Sequence, residues 1–552
     1  MPRPLLSIRS VLAFLLVAST AALPTHSARA EPAQPALIVA IAVDQFSGDL
    51  FARYRGTFTG GLGQLSQGVV FPNGYQSHAA TETCPGHSTI LSGSRPARTG
   101  IIANYWIDQS IDRNGSSVVY CVEDPTKPGT SARANPHIDF HYAHLTTLGD
   151  RLKKRDPASR VIAVSGKDRA AMMMGGKSAD QIWWWSKGGF ATLPGRPGHD
   201  TVKAVSDGAL RALGTDQVAM AMPPRCAPQD MPVTLANGGT VGTGRFARKA
   251  GEDGRFRASP ELDTATLNLA AALFDAENLG RNGHVDLLAI SLSATDYIGH
   301  TYGTAGAEMC IQIDALDRRL GDFFKHLDET GIDYVVVLTA DHGGHDAPER
   351  NDNHAAPDAA RVQDTLTLKS VNAFIESKSG VKGALIADGG LAIGDLYVRK
   401  DVPKAKRKAV LKWARAYLGD HAQIARVFTH DDIASAPAPS GPPESWSLID
   451  EAKASFDPDR SGDLLVMLKP RVTPILATEK GYVATHGSPW DYDRRVPILF
   501  WRKGLVPFEQ PLGVETVDIL PTLASLTGLS VPASEIDGRC LDIMAGTANN
   551  CP

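Results

Sequence analysis

Pro35-Ala36-Leu37-Ile38-Val39-Ala40-Ile41-Ala42-Val43-Asp44 is the stretch whose reading decides the fold. A continuous apolar run that does not alternate reads as a strand covered on both faces, the habit of strands in a parallel sheet. The run ends at Asp44, which puts a carboxylate at the strand's carboxyl end, the edge where open α/β sheets bind ligands. Alone, such an aspartate is most often a loop or cap residue. The same arrangement recurs outward from it, however. Residues 160–165 lead into Gly166-Lys167-Asp168-Arg169, residues 285–291 into Thr295-Asp296-Tyr297-Ile298-Gly299-His300, and residues 334–339 into Ala340-Asp341-His342-Gly343-Gly344-His345.

Helical patterns lie between these runs. Ser259-Pro260, a cap followed by proline at the first helical position, predicts a helix to about Leu279 with Gly280 as its stop. Met309, Ile313, Leu316, Leu320, Phe323, Phe324 and Leu327 keep helical spacing across 307–330 and form a core stripe. Residues 404–418 predict a further helix, and 517–528 a closing one. The alternation predicts an α/β fold with a mostly parallel central sheet flanked by helices. Residues 185–255 carry no clear period and read as an inserted loop region. Residues 346–475 read as a second inserted cap region, returning to the core through the apolar run 464–468.

With 552 residues, 43% of them hydrophobic and 21% charged, the chain can bury a large core, as one elaborated α/β domain or as two to three. Arg3 and Arg9, an apolar run from Val11 to Leu23 and Ala28-Arg29-Ala30 match the parts of a secretory signal, so 1–30 is expected to be a signal peptide and 31–552 the catalytic domain. That run is too short to span a bilayer, which predicts a periplasmic or secreted protein without a membrane anchor. The net charge of −4 becomes −7 when Arg3, Arg9 and Arg29 are removed, since the first thirty residues hold no acid. That balance argues against a dedicated nucleic-acid partner. Six cysteines suit an oxidising compartment and allow fifteen pairings, of which Cys540 with Cys551 is the closest in sequence.

Thr81-Glu82-Thr83-Cys84-Pro85-Gly86-His87 reads as a turn presenting a hydroxyl beside a helix start, with the helix itself under way at 87–91. Threonine at a helix start is usually a cap. Its hydroxyl becomes a nucleophile only where a base or metal lowers its effective pKa. The candidate ligands are Asp44, Asp296, His300, Asp341, His342 and His486, each in a loop adjoining an inferred strand. Carboxylate oxygen with imidazole nitrogen suits Zn²⁺ or Mn²⁺, and six ligands plus a hydroxyl divide between two ions about 4 Å apart. Lys167 and Arg169, two residues apart, suit a dianionic oxygen cluster, although such a pair alone is usually a solvated loop.

Asp44, Thr83-Cys84-Pro85-Gly86-His87, Gly100-Ile101-Ile102-Ala103-Asn104, Lys167-Asp168-Arg169, Asp296 to His300, Ala340-Asp341-His342-Gly343 and Thr485-His486-Gly487 occur in an order that resembles the alkaline phosphatase superfamily. The chain is most similar to the bacterial phosphate-irrepressible alkaline phosphatases that use threonine, relatives of the nucleotide pyrophosphatase/phosphodiesterases. The resemblance implies two zinc ions, one held by Asp44, Asp341 and His342 and contacting Thr83, the other held by Asp296, His300 and His486. It implies Thr83 as nucleophile through a phosphothreonine, Asn104 bonded to a nonbridging oxygen, Lys167 and Arg169 on the phosphoryl group, and His87 holding the turn. A monomeric phosphomonoesterase acting on small phosphate esters is expected, because the Lys167/Arg169 pair suits a dianion. The alternatives are a phosphodiesterase or nucleotide pyrophosphatase on the same core, or a non-catalytic zinc-binding protein. A sulfatase is disfavoured, since Cys226-Ala227-Pro228-Gln229-Asp230 lacks the arginine its nucleophile motif needs. The signal sequence argues against a cytosolic phosphoglycerate mutase.

Overall fold

The computed structural model describes Met1 and residues 34–351, 358–476, 481–544 and 549–552. The expected signal peptide lies outside the described residues. Pro35–Pro552 forms one compact unit.

Its centre is a mixed, mostly parallel sheet. The strands that position the site are β1 (Leu37–Val43), β2 (Val69–Tyr75), β3 (Val161–Ser165), β4 (Gln181–Ser186), β5 (Gly189–Ala191), β6 (Asp286–Leu292), β7 (Tyr334–Thr339) and β8 (Arg495–Arg502). They lie in the order β2-β8-β7-β1-β6-β3-β4-β5, with two short strands, Phe508–Glu509 and Val514–Glu515, against β2. β1 pairs in parallel with β6 and β7, β6 with β3, and β3 with β4; β8 runs antiparallel to β7 and β2, and β5 to β4. The registers Val43 to Leu292, Ala42 to Thr339 and Ser291 to Ser165 bring the carboxyl ends of β1, β6, β7 and β3 to one level.

β1 is buried along its whole length because both faces are covered. Leu37, Val39, Ile41 and Val43 pack in a layer with Phe274, Met309 and Phe324, while Ile38, Ala40 and Ala42 pack in the other with Ile90, Met172 and Leu520. The covering helices that matter here are α1 (Thr83–Ile90), α2 (Asp168–Gly175), α3 (Pro260–Ala276), α4 (Ala294–Tyr302) and α5 (Ala307–Glu329). Ser259 caps α3 by accepting from Glu261 N, with Pro260 in the first turn. The predicted stripe of α5 is buried at all seven positions.

Four local expectations are corrected. α1 begins at Thr83, four residues before the predicted start, because Pro85 sits in the first turn, where its missing N–H costs nothing. Trp185, where the expected inserted loop region begins, lies instead in the central sheet, in β4 with Trp183 and Trp184. The stretch after it contains a 14-residue helix, Asp200–Leu213, whose apolar face of Val202, Val205, Ala209, Leu210 and Leu213 packs against the core. Leu464–Leu468 does not rejoin the central sheet; it pairs with Gly394–Val398 and Ile424–Thr429 in a separate four-stranded sheet with its own apolar core, backed by helices Leu368–Ser379 and Lys404–Gly419. The cysteines pair as Cys84–Cys121, Cys226–Cys310 and Cys540–Cys551.

Phe324 is fully buried where α5 meets the sheet. Phe324→Ala is expected to destabilise the fold by about 3–5 kcal/mol through loss of buried surface and an unfilled cavity, read as a lowered denaturant midpoint at unchanged slope.

Candidate active site

Asp44 follows β1 directly and its N–H continues the ladder to Leu292 O at 2.9 Å. The chain then turns through Gln45, a non-glycine residue at φ +66°. That strained turn lets Gln45 serve two aspartates: its N–H donates to Asp341 Oδ1 (3.1 Å) and its amide Nε2 to Asp296 Oδ1 (3.2 Å). Gly299, inside α4, is required there, because a Cβ at that position would run into the Gln45 amide. Asp296 and His300 stand one helical turn apart on α4, with His300 Nε2 3.2 Å from Asp296 Oδ1.

The three carboxylates are buried together: Asp44 and Asp341 are 0% exposed and Asp296 2%. Lys167, itself 3% exposed at the end of β3, reaches between two of them, 2.6 Å from Asp44 Oδ2 and 2.6 Å from Asp296 Oδ2. Burial opposes the Lys167 charge, yet Asp296 and Asp44 hold its ammonium above the ordinary lysine range. Burial and the neighbouring Asp341 push the Asp44 carboxyl well above the usual range, against the pull of Lys167. One lysine does not neutralise three buried acids, so the pocket is built for further positive charge.

Imidazole nitrogens complete the donor set. His342, His300 and His486 each direct Nδ1 at a backbone carbonyl: Gly343 O at 2.8 Å, Ala484 O at 2.8 Å and Thr81 O at 2.8 Å. A ring held through Nδ1 turns Nε2 toward the carboxylates, the orientation a metal ligand needs. His342 Nε2 lies 3.4 Å from both Asp44 Oδ1 and Asp341 Oδ2, and His486 Nε2 3.3 Å from Asp296 Oδ1. Burial pulls the His342 imidazole down to about 3, leaving it neutral.

Two groups of three donors lie within 4.8 Å of one another, Asp44 with Asp341 and His342, and Asp296 with His342 and His486. His342 belongs to both because its ring stacks on His486 at 3.6 Å. His300 is in neither group, although its ring is 5.1 Å from that of His486. Asp44 Oδ1 and His342 Nε2 are buried with no hydrogen-bond partner. Orphaned donors of this kind, in a set of carboxylate oxygens and imidazole nitrogens, fit divalent ions of the zinc class.

Thr83 is the first residue of α1 and 1% exposed. Its Oγ1 is 3.4 Å from Lys167 Nζ and 3.3 Å from Arg169 Nη2. The next residue, Cys84, donates its N–H to Asn104 Oδ1 at 2.8 Å, which fixes the Asn104 amide beside the start of α1 and leaves its nitrogen to act as a donor. Beneath the turn, His87 contacts Thr83 O (2.9 Å), Asp341 Oδ2 (3.0 Å) and Ser291 Oγ (2.9 Å). Gly86 allows this closeness, since a Cβ there would clash with the Asp341 carbonyl.

Several supporting residues escaped sequence reasoning. Glu82 Oε2 accepts from Asn104 N at 2.6 Å, and Tyr120 OH donates to Asp168 Oδ1 at 2.7 Å while standing 3.4 Å from Arg169 Nη1. Asp493 Oδ2 accepts from Ser488 N and Oγ, and its carbonyl from Gly343 N, tying the His486 loop to the His342 loop. Nothing local marks these residues; the only sequence signal is that Glu82 and Asp168 each adjoin a proposed catalytic residue.

The sequence matches the family model for type I phosphodiesterase / nucleotide pyrophosphatase over residues 38–489. The chain belongs to this family. It is 55% identical to the alkaline phosphatase PhoK of Sphingomonas sp. over 520 residues, covering 94% of this chain and 92% of that protein. It is 48% identical to the alkaline phosphatase PhoD of Zymomonas mobilis, covering 94% and 89%. The crystal structure of the alkaline phosphatase PafA superposes with a TM-score of 0.81 at 24% identity over 94% of this chain and all of that one, a likeness of fold. This member of the family is therefore a metal-dependent phosphate-ester hydrolase of the alkaline phosphatase superfamily, related to the threonine-nucleophile enzymes. The alkaline-phosphatase-like α/β architecture expected from sequence is met.

Three buried acids facing one lysine are expected to make the folded state more stable with cations bound. Chelator treatment is expected to lower the melting temperature, and about two equivalents of Zn²⁺ to restore it. Asp44→Ala is expected to abolish most of that restoration, as scanning calorimetry would show.

Proposed function

We propose that this protein is an exported two-zinc alkaline phosphatase that hydrolyses phosphate monoesters through a phosphothreonine intermediate. The observation that carries the reading is the position of Thr83 Oγ1, within 3.4 Å of both Lys167 Nζ and Arg169 Nη2 and beside the carboxylate-histidine cluster. Two 55% and 48% identical relatives described as alkaline phosphatases support the same activity.

Asp44, Asp341 and His342 would hold one ion, and Asp296, His300 and His486 the other, with His342 near enough to serve either. When bound, the two ions supply Lewis-acid stabilisation of an alkoxide and of a leaving oxygen, and lower the pKa of water to about 7. The remaining work falls to the chain's own groups. Thr83 Oγ1 attacks phosphorus in line and the alcohol departs on the opposite side; water then displaces Thr83 from the phosphothreonine and releases phosphate. The Asn104 amide nitrogen donates to a nonbridging oxygen, its carbonyl oxygen being pinned by Cys84 N–H. The Arg169 guanidinium is fixed beside Tyr120 OH, so its fork meets the phosphoryl oxygens without reorganising. Lys167 adds the second fixed cation. A monoester carries two charges on its free oxygens and gains from both; a diester replaces one oxygen with an organic group and gains less.

Export rests on the amino-terminal pattern and on three disulfides, which persist in oxidising compartments. Among the described residues no helix is long and apolar enough to cross a membrane.

Thr83→Ala is expected to lower kcat/KM for p-nitrophenyl phosphate on the order of 10³-fold or more with zinc still bound. Lys167→Ala/Arg169→Ala is expected to cut monoester turnover at least about 10²-fold further than turnover of bis-p-nitrophenyl phosphate. An equal loss on both substrates would remove the monoester assignment; a preference of the unmodified enzyme for the diester would make it a phosphodiesterase on the same core.

A further inference from the structure

The helix Lys404–Gly419 on the separate four-stranded sheet carries charge that works against its own stability. Its sequence, Lys-Ala-Lys-Arg-Lys-Ala-Val-Leu-Lys-Trp-Ala-Arg-Ala-Tyr-Leu-Gly, holds six cations and no acid. Lys404, Lys406 and Arg407 crowd the first turn, where the helix dipole disfavours positive charge and an acid would be stabilising. Lys404 and Lys408, and Lys408 and Lys412, repel one another at the i, i+4 spacing.

Packing explains only one side of this helix. Val410, Ala414 and Leu418 are its buried residues. Arg407 is engaged by Asp463 at 2.9 Å, and Lys406 Nζ by Ser379 O at 3.1 Å. The others are not so held. At 100° per residue, Lys404, Lys408, Lys412 and Arg415 fall within an arc of about 80° and a length of about 17 Å. All four are exposed. Lys404, Lys408 and Lys412 have no carboxylate partner among the described residues, and Arg415 has only Asp432 at 3.9 Å. On a mature chain of net charge −7 (−4 less Arg3, Arg9 and Arg29), this is a cationic stripe whose only acidic partner among the described residues is Asp432, beside Arg415.

Beside the stripe lies a half-buried aromatic group. Phe374 contacts Tyr417 at 4.8 Å and Trp413 at 6.5 Å between ring centroids, and Lys378 stands over both Phe374 (5.7 Å) and Trp413 (5.8 Å). Lys412 stands over Trp413 at 5.1 Å. Ammonium groups standing over aromatic rings bring cations and indole together in one patch, the pairing that suits a bilayer's headgroup region, where indole and phenol rings sit beside the anionic phosphates.

We propose that the exposed face of Lys404–Gly419, with Trp413 and Phe374 at its edge, is a docking surface for an anionic lipid bilayer. It would hold the enzyme at a membrane surface by charge, reversibly and without a spanning segment. A flat anionic surface engages the whole stripe at once. Its attraction falls within a Debye length, so contact is salt-sensitive.

The test is flotation of the full-length mature protein with vesicles of phosphatidylcholine containing about 25% phosphatidylglycerol, against phosphatidylcholine alone, at low ionic strength and at about 0.5 M salt. Expected is a bound fraction at least about tenfold higher on the anionic vesicles, lost at high salt and lost in Lys404→Glu/Lys408→Glu/Lys412→Glu. Turnover of p-nitrophenyl phosphate by that variant is expected within about twofold of the parent, which shows that it folds. If the triple variant proves unfolded, the milder Lys408→Gln/Lys412→Gln, with an intermediate loss of binding, takes its place. Equal flotation of parent and variant, or no preference for anionic lipid at low salt, overturns the proposal. Charge-dependent capture of a soluble polyanion such as heparin without vesicle binding also overturns it and assigns the stripe to a polymer.

Discussion

Three carboxylates, those of Asp44, Asp296 and Asp341, are closed off from water within a few ångströms of one another, and most of the architecture around them can be read as the cost and the compensation of that arrangement. Like charges in a poorly solvated space raise each other's proton affinity unless cations share the space. The protein supplies one ammonium, from Lys167, and aims three imidazole nitrogens, one from helix α4 and two from loops, at the same point. The parallel strands make this possible. Because β1, β6 and β7 run the same way in register, residues that follow them arrive at one level without any loop having to travel far.

The reacting group is then fixed relative to this charge by a second set of contacts. Gly86 lets the start of α1 rest on the Asp341 backbone, and His87 bridges Thr83 O, Asp341 and Ser291. The Cys84–Cys121 bridge joins the residue after Thr83 to the residue after Tyr120, and Tyr120 in turn orients Arg169. Nucleophile and phosphoryl-binding cation are thus parts of one covalently closed frame, which suits electrostatic preorganisation.

What the sequence disclosed follows from how local each signal was. Asp44, Asp341 and His342 were legible because each follows an apolar run long enough to identify a buried strand, and the run itself says which end they occupy. The stripe of α5 was legible because seven buried residues repeat at helical spacing. The helix Asp200–Leu213 was passed over although Val202, Val205, Ala209, Leu210 and Leu213 keep helical spacing, because the glycines and prolines that precede and follow it gave the whole stretch the composition of a loop. Leu464–Leu468 shows the limit of the strand signal: an apolar run declares burial without saying in which sheet. Gln45 and Tyr120 act through partners tens to hundreds of residues away, and Asp493, besides its near neighbour Ser488, through Gly343 N–H, 150 positions earlier (493 − 343), so the sequence around them carries little trace of the role. The sharing of His342 between two donor groups depends on the stacking of two rings and was equally out of reach.

The order in which the ligands occur along the chain has a consequence in time. Asp44 is among the first residues of the folded unit to be synthesised, and His486 follows 442 positions later (486 − 44). A growing chain carries the acids long before it carries the imidazole that completes the group around Asp296. Until then, the early strands hold carboxylates that prefer water to one another, and the sheet has every electrostatic reason to stay open. The donor group of Asp44, Asp341 and His342 is complete once residue 342 is made, whereas the group around Asp296 waits for His486, so a fragment ending between the two would resemble a vault with one of its two keystones still missing.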